Sequence, residues 1–271
     1  MGSKFTKRGL LILYALLVLV PIFAIFMTTF KTPAEMYENV LGLPSSFGID
    51  NYVSMFRDQS MGVYFKNSVS VTLVSVVLTI FFASLVAYAI TRMNGWLGNT
   101  IFAFFTIGMM VPAQVNMIPL YQLIFNLGLT NSLIGLIIVN LSVTLPVAVF
   151  ILTGFMKSLP KSLFEACAID GATNWQVYAK VVIPLSLPSL SATSIFLFVM
   201  HWNDLLYPLL FITKDEYKTL PLALLEFQGE YITNYPMLFT GVIIASMPMI
   251  IAYIFLQRYF VAGMTAGAVK G

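Results

Sequence analysis

Two short segments of this chain gather side chains that can bind. The first, His201-Trp202-Asn203-Asp204, sets an imidazole, an indole, an amide and a carboxylate on consecutive positions. A flat aromatic face with amide and carboxylate hydrogen bonds suits a polyhydroxylated solute, so Trp202, Asn203 and Asp204 are candidates for contacting one. The same groups suit a second role. Ionisable residues at membrane depth mark either a pathway or an interior pair, and an interhelical polar clamp with His201 as a packed histidine fits too. Gln114, Asn116 and Asn140 are further, weaker polar candidates. The second segment, 157–188, reads KSLPKSLFEACAIDGATNWQVYAKVVIPLSLP. Its small residues, Ala166, Cys167, Ala168, Gly171 and Ala172, let another surface approach the backbone. Glu165 and Asp170 can fix orientation against a partner's basic groups. An amphipathic hairpin lying on the bilayer surface is the alternative. The residues alone leave both open.

Catalysis has little to work with. The chain holds 1 histidine and 1 cysteine, so neither a zinc site nor a Ser/His/Asp set can be assembled by spacing. No catalytic residue, no metal ligand and no cofactor is expected. A G-x-x-x-x-G-K-[ST] phosphate loop is absent from the sequence, so any nucleotide hydrolysis must reside on another chain.

The elements that must position these segments follow from composition. Of 271 residues, 59% are hydrophobic and 9% charged, with mean hydropathy +0.90, against roughly 25% charged in a soluble domain. Lipid is therefore the main solvent. About 20 apolar residues span the hydrocarbon core, and six stretches qualify: 10–30, 68–90, 100–125, 132–156, 189–212 and 237–259. Pro21, Pro112, Pro119, Pro146, Pro208 and Pro248 fall within them, which suits a packed bundle whose neighbouring helices satisfy the freed carbonyls. The first stretch follows Lys4, Lys7 and Arg8 but is too long for a signal-peptide core and lacks a small-x-small cleavage site. The expected fold is all-α: a polytopic bundle of six transmembrane helices, forming a single domain over 1–271.

Orientation follows from basic residues in the loops. With the N-terminus inside, nine lie on the cytoplasmic side: Lys4, Lys7, Arg8, Arg92, Lys157, Lys161, Lys180, Arg258 and Lys270. Five lie outside: Lys31, Arg57, Lys66, Lys214 and Lys218. Both termini are then cytoplasmic, and so is the 157–188 loop. Within that loop, Pro160 suits a helix start and Gly171 a helix stop. Thr173-Asn174-Trp175-Gln176 reads as a capping box opening a second short helix, expected to end or kink at Pro184. The product is a helix–glycine–helix hairpin.

That hairpin carries a resemblance. Glu165-Ala166-Cys167-Ala168-Ile169-Asp170-Gly171-Ala172, followed by Ile183-Pro184-Leu185, resembles the EAA loop of ABC importer permeases, with Cys167 where alanine is usual and Tyr178 where phenylalanine is common. Cysteine packs as a small apolar residue, so the first departure is mild. Lys31-Thr32-Pro33-Ala34-Glu35, Asn51-Tyr52, Trp202-Asn203-Asp204 with Pro208, and the ending from Gln257 to Gly271 are similar to maltose-type sugar permeases. The resemblance implies a type I ABC importer permease fold in a prokaryotic cytoplasmic membrane, moving a sugar by alternating access. It implies a second permease subunit in a heterodimer, two ATPase subunits and an extracytoplasmic solute-binding protein, with membrane lipid around it and no nucleic-acid partner. It also makes 157–188 the coupling loop, with Glu165, Ala166, Cys167, Asp170, Gly171 and Ala172 meeting the ATPase. The small-residue tail 262–271 would be flexible, touching the ATPases or nothing.

Other classes explain less. An importer for a non-sugar solute such as glycerol phosphate would use the same scaffold, though with more internal basic residues. A secondary transporter or channel needs intramembrane acid or base relays, and few exist beyond Asp204 and His201; no convincing internal repeat is present either. Neither a secondary transporter nor a membrane-embedded enzyme accounts for the hairpin.

Overall fold

A computed structural model describes residues 2–40, 42–93, 95–228 and 233–268, with side chains described between residues 6 and 254. Every regular element among the described residues is helical. The helices are α1 (Gly2–Thr28), α2 (Pro33–Glu38), α3 (Asp50–Arg57), α4 (Met61–Arg92), α5 (Trp96–Gly108), α6 (Met117–Asn126), α7 (Leu133–Met156), α8 (Lys161–Ile169), α9 (Asn174–Val177), α10 (Ile183–Trp202), α11 (Leu206–Phe211), α12 (Leu220–Leu224) and α13 (Tyr235–Ala268). Among the described residues five continuous helices are long and apolar enough to cross a membrane, and a bent pair makes a sixth when taken as one span. Helices are what lipid permits, because each satisfies its own backbone polar groups.

Three boundaries differ from the sequence expectation. The third crossing is not one rod: α5 and the stretch 113–126 meet at 86°. Pro112, extended at φ −61° and ψ 136°, cannot donate to a helical ladder, and Pro119 lies in the first turn of α6, where a proline is tolerated. The fifth crossing runs Asn174–Trp202, not 189–212, since the helix breaks at Asn203. The second arm of the loop hairpin therefore does not end at Pro184. It continues into the bundle through a π turn at Tyr178–Val182. Such a turn widens the backbone helix by one residue, and here it lies just ahead of a proline whose ring would otherwise meet the carbonyl four residues back. The helical backbone of α13 reaches Ala268; the contacts of the C-terminal tail lie outside the described residues.

The chain divides into two compact units, 1–65 with 219–249 and 66–218 with 250–271. In the first, the apolar side chains of α1 face outward along its crossing. The segment after α1 is locked by hydrogen bonds. Asn51 Nδ2 donates to the carbonyls of Thr29 at 2.8 Å and Lys31 at 2.9 Å. Tyr52 Oη donates to Thr29 Oγ1 at 2.9 Å. The buried Lys31 donates from Nζ to the carbonyls of Asn39 at 2.8 Å and Val40 at 3.2 Å. Thr32 caps α2 by accepting from Glu35 N, with Pro33 at the first helical position. The Lys31–Glu35 and Asn51-Tyr52 segments, separate in sequence, are thus one structure. Gly241 permits close packing here: a Cβ would displace the end of the Leu224 side chain and touch Met55 and Met61.

The second unit is built around α7, with α5 and α10 packed along it. Its core joins Val76, Ala83 and Ala87 of α4, Ala148, Val149 and Leu152 of α7, and Val182, Leu190 and Leu197 from the α9–α10 arm. Alanine at three of these positions lets helices approach closely, which is how packing substitutes for the hydrophobic effect in lipid. Polar residues add interhelical links: Thr144 Oγ1 lies 3.4 Å from Thr79 Oγ1 and 3.4 Å from His201 Nε2. At the far end of α7, Asn131 takes φ +51°. Its Oδ1 accepts from Thr213 N at 2.7 Å and Lys214 N at 2.9 Å, pinning the chain after α11.

Candidate partner-docking hairpin

The 157–188 loop folds as the expected hairpin, and each turn of it has a local cause. The first arm, α8, starts after Pro160 at φ −59° and ψ 134°. It stops in a Schellman motif: Gly171 N donates to Ala168 O at 3.1 Å and Ala172 N to Cys167 O at 3.0 Å. That motif needs a left-handed residue, and Gly171 sits at φ +73°. The second arm opens with the capping box read from sequence. Gln176 N donates to Thr173 Oγ1 at 3.3 Å, and Thr173 N donates to Gln176 Oε1 at 2.8 Å. The backbone at the tip is therefore satisfied internally, and its side chains remain available.

The six residues assigned to docking divide into two groups. Glu165, Ala166, Asp170 and Gly171 are exposed on the tip. Cys167 and Ala172 are half-buried and pack against the core of the second unit, so they seat the hairpin instead of presenting it. Two exposed residues escaped the sequence reading. Ile169 is 87% exposed and Trp175 61% exposed, large apolar groups beside the acidic pair. Alternating burial along α8 was the available signal: with Phe164 and Cys167 facing inward, Ile169 falls on the opposite face of a 3.6-residue helix.

The hairpin is seated by α4. Tyr88 Oη donates to Asn174 O at 3.1 Å, and Tyr178 Oη lies 2.8 Å from Ser84 Oγ. The Arg92 guanidinium stands 5.0 Å from the centre of the Phe164 ring, and Lys157 Nζ 4.6 Å from that of Phe102. Arg92 had entered the sequence reading only as a basic residue setting orientation.

The other candidate cluster is organised differently. His201 and Trp202 are buried, and Trp202 stacks on Phe198 at 5.8 Å and 11°. Asn203 caps the end of α10, its Nδ2 donating to Val199 O at 2.9 Å. Asp204 Oδ1 accepts from Leu206 N at 3.1 Å and Tyr207 N at 3.4 Å, opening α11. These four residues make a helix break, with His201 tied into the Thr144–Thr79 link. Asn140 is buried, its carbonyl accepting from Thr144 Oγ1. Asn116 instead lines a cavity of about 870 Å³, along with Phe104, Ser142, Pro146, Phe196 and Tyr207. The bend between α5 and α6 opens this cavity. Among the described residues, no group of three or more His, Cys, Asp and Glu could hold a metal ion.

Comparison with known proteins bears on this arrangement. A family model described as the binding-protein-dependent transport system inner membrane component matches residues 75–266. The arabinooligosaccharides transport system permease protein AraQ of Halalkalibacterium halodurans is 34% identical over 261 residues, 95% of this chain and 93% of that protein. The multiple sugar-binding transport system permease protein MsmG of Streptococcus mutans is 34% identical over 272 residues, 99% of this chain and 98% of that protein. Among solved structures, a bacterial ABC transporter involved in the import of the acidic polysaccharide alginate matches with a TM-score of 0.84 at 22% identity, covering 95% of this chain and 96% of that one. At that identity the likeness is one of fold.

Proposed function

Because the chain belongs to the binding-protein-dependent transport system inner membrane components, we propose that it is the permease subunit of an ABC importer carrying an oligosaccharide. It is a multi-pass inner-membrane transport component; the cargo class, partners and working residues are the proposal. The names of its relatives, which transport arabinooligosaccharides and multiple sugars, support the cargo. The complex pairs this chain with a second permease subunit and two ATPases, and an extracytoplasmic binding protein delivers the solute. A structural neighbour of the same fold is titled as an alginate transporter in complex with an alginate pentasaccharide-bound periplasmic protein. The excess of basic residues in one set of loops supports cytoplasmic termini and a cytoplasmic hairpin.

The observation that carries the mechanism is the hairpin tip. Its backbone is self-satisfied, while Glu165, Ile169 and Asp170 project outward. A partner groove with basic edges fits it: the acids set orientation and Ile169 supplies the buried contact. Closure of the ATPase dimer then moves the hairpin and rocks the bundle against the second permease subunit. Asn203 and Asp204 serve in this reading as the clamp at the end of α10, and the cargo path passes the Asn116 cavity.

The test is reconstitution. Vesicles holding the permease pair and ATPases take up oligosaccharide only with ATP and binding protein. In this complex Glu165→Lys keeps ATP hydrolysis but loses most uptake. Uptake by the permease pair alone, without ATP, would overturn the reading.

A further inference from the structure

Three residues of α4, Ser84, Tyr88 and Arg92, recur every four positions and so share one face of the helix. Each meets the hairpin. Arg92 lies over Phe164 in the first arm. Tyr88 donates to the Asn174 carbonyl at the start of the second arm. Ser84 takes the hydroxyl of Tyr178, the first residue of the π turn. Proton positions follow from the neighbours: Ser84 Oγ donates to Phe81 O at 2.9 Å, and with one proton to give it accepts from Tyr178. The rings of Tyr88 and Tyr178 lie 5.4 Å apart and those of Trp175 and Tyr178 5.2 Å. Ser84, Tyr88 and Tyr178 are 2%, 8% and 6% exposed, and the Ser84–Tyr178 hydrogen bond is buried, shielded from competing water.

We propose that the Ser84–Tyr88–Arg92 face of α4 is the bearing through which displacement of the coupling hairpin is transmitted to the membrane helices, with Tyr88, Arg92 and Tyr178 as positioning residues. This rests on the hairpin docking to an ATPase. The second arm is already continuous with α10 through the π turn. Attachment to α4 adds a third helix to the two the hairpin already joins in sequence, α7 through residues 157–160 and α10 through the π turn. Motion imposed at the tip then moves α4 and α10 together.

The experiment uses the complete reconstituted complex and measures solute taken up per ATP hydrolysed. Alongside it, Ser162→Cys, exposed on α8 and outside the docking set, in a Cys167→Ala background reports hairpin docking as crosslinking to the ATPase. The double variant Tyr88→Phe/Tyr178→Phe keeps every ring and removes both hydroxyls. It is expected to lower uptake per ATP about three- to tenfold while crosslink yield stays within about twofold. Arg92→Ala is expected to lower the ratio as well, and Arg92→Lys to restore it, because the lysine keeps a cation for the Phe164 ring. An unchanged ratio with the crosslink intact would overturn the bearing alone. So would uptake and hydrolysis falling together in proportion to assembled complex, the signature of a merely structural role. Absence of the crosslink in the complex without tyrosine substitutions would instead overturn docking, and the bearing with it.

Discussion

The hairpin tip and the break at the end of α10 are built from the same chemistry, and they spend it in opposite ways. Both place acidic, aromatic and amide side chains within a few residues of a helix end, two acids at the tip and one at the break. At the tip, the helix ends are satisfied by Gly171, Thr173 and Gln176, so Glu165, Asp170, Ile169 and Trp175 stay exposed. At the break, Asn203 and Asp204 themselves bond the loose ends of α10 and α11, and His201 is drawn into an interhelical link. Polar residues are free to recognise a partner only when something else has met the backbone's demand. A glycine and a capping box do that for the hairpin; at the break the candidate side chains do it themselves.

Substitutions can break or sharpen this contrast. Gly171→Leu is expected to act most strongly. A Cβ at Gly171 has open space around it, so the cost is conformational, about 1–2 kcal/mol for an L-residue in the left-handed region. Uptake by the reconstituted complex should fall about tenfold or more by the same measure, with membrane insertion intact; full uptake would show that the tip geometry is dispensable. Ile169→Ala follows. Full burial of an isoleucine contributes about 1.5–3 kcal/mol, so truncation should weaken ATPase association about tenfold in a pull-down titration. No change would remove Ile169 from the interface.

The break responds in a different currency. Asp204→Ala removes the acceptor for two amides and is expected to cost about 1 kcal/mol, as lost caps do. A lower melting temperature in detergent with cargo KM unchanged supports the clamp; a shifted KM at unchanged stability would return Asp204 to the cargo path. Asn203→Ala should be the smallest effect, within about 0.5 kcal/mol for an exposed position, again read by melting and by KM.

Helix content, the approximate spans and the hairpin were all legible in the sequence, because each depends on neighbours along the chain: apolar runs of membrane length, a glycine where a left-handed residue is needed, Thr173 and Gln176 at capping-box spacing. The motif likeness to the importer permeases was equally local. The bend at Pro112 and the break at Asn203 were less so. Proline and asparagine are tolerated inside crossings when the bundle re-satisfies their neighbours, and whether it does is a tertiary matter. The same holds for the π turn, which kept a helix running through Pro184 where local rules end or kink it.

What the sequence by itself determined, then, was roughly which stretches are apolar enough to cross a membrane and where the polar elbow turns, since hydropathy and capping act within a few residues. Only the tertiary structure decided which face of that elbow looks outward and that Ser84, Tyr88 and Arg92 hold its other face. Those contacts join residues as many as 94 positions apart, and nothing in local spacing encodes which helix a side chain will meet.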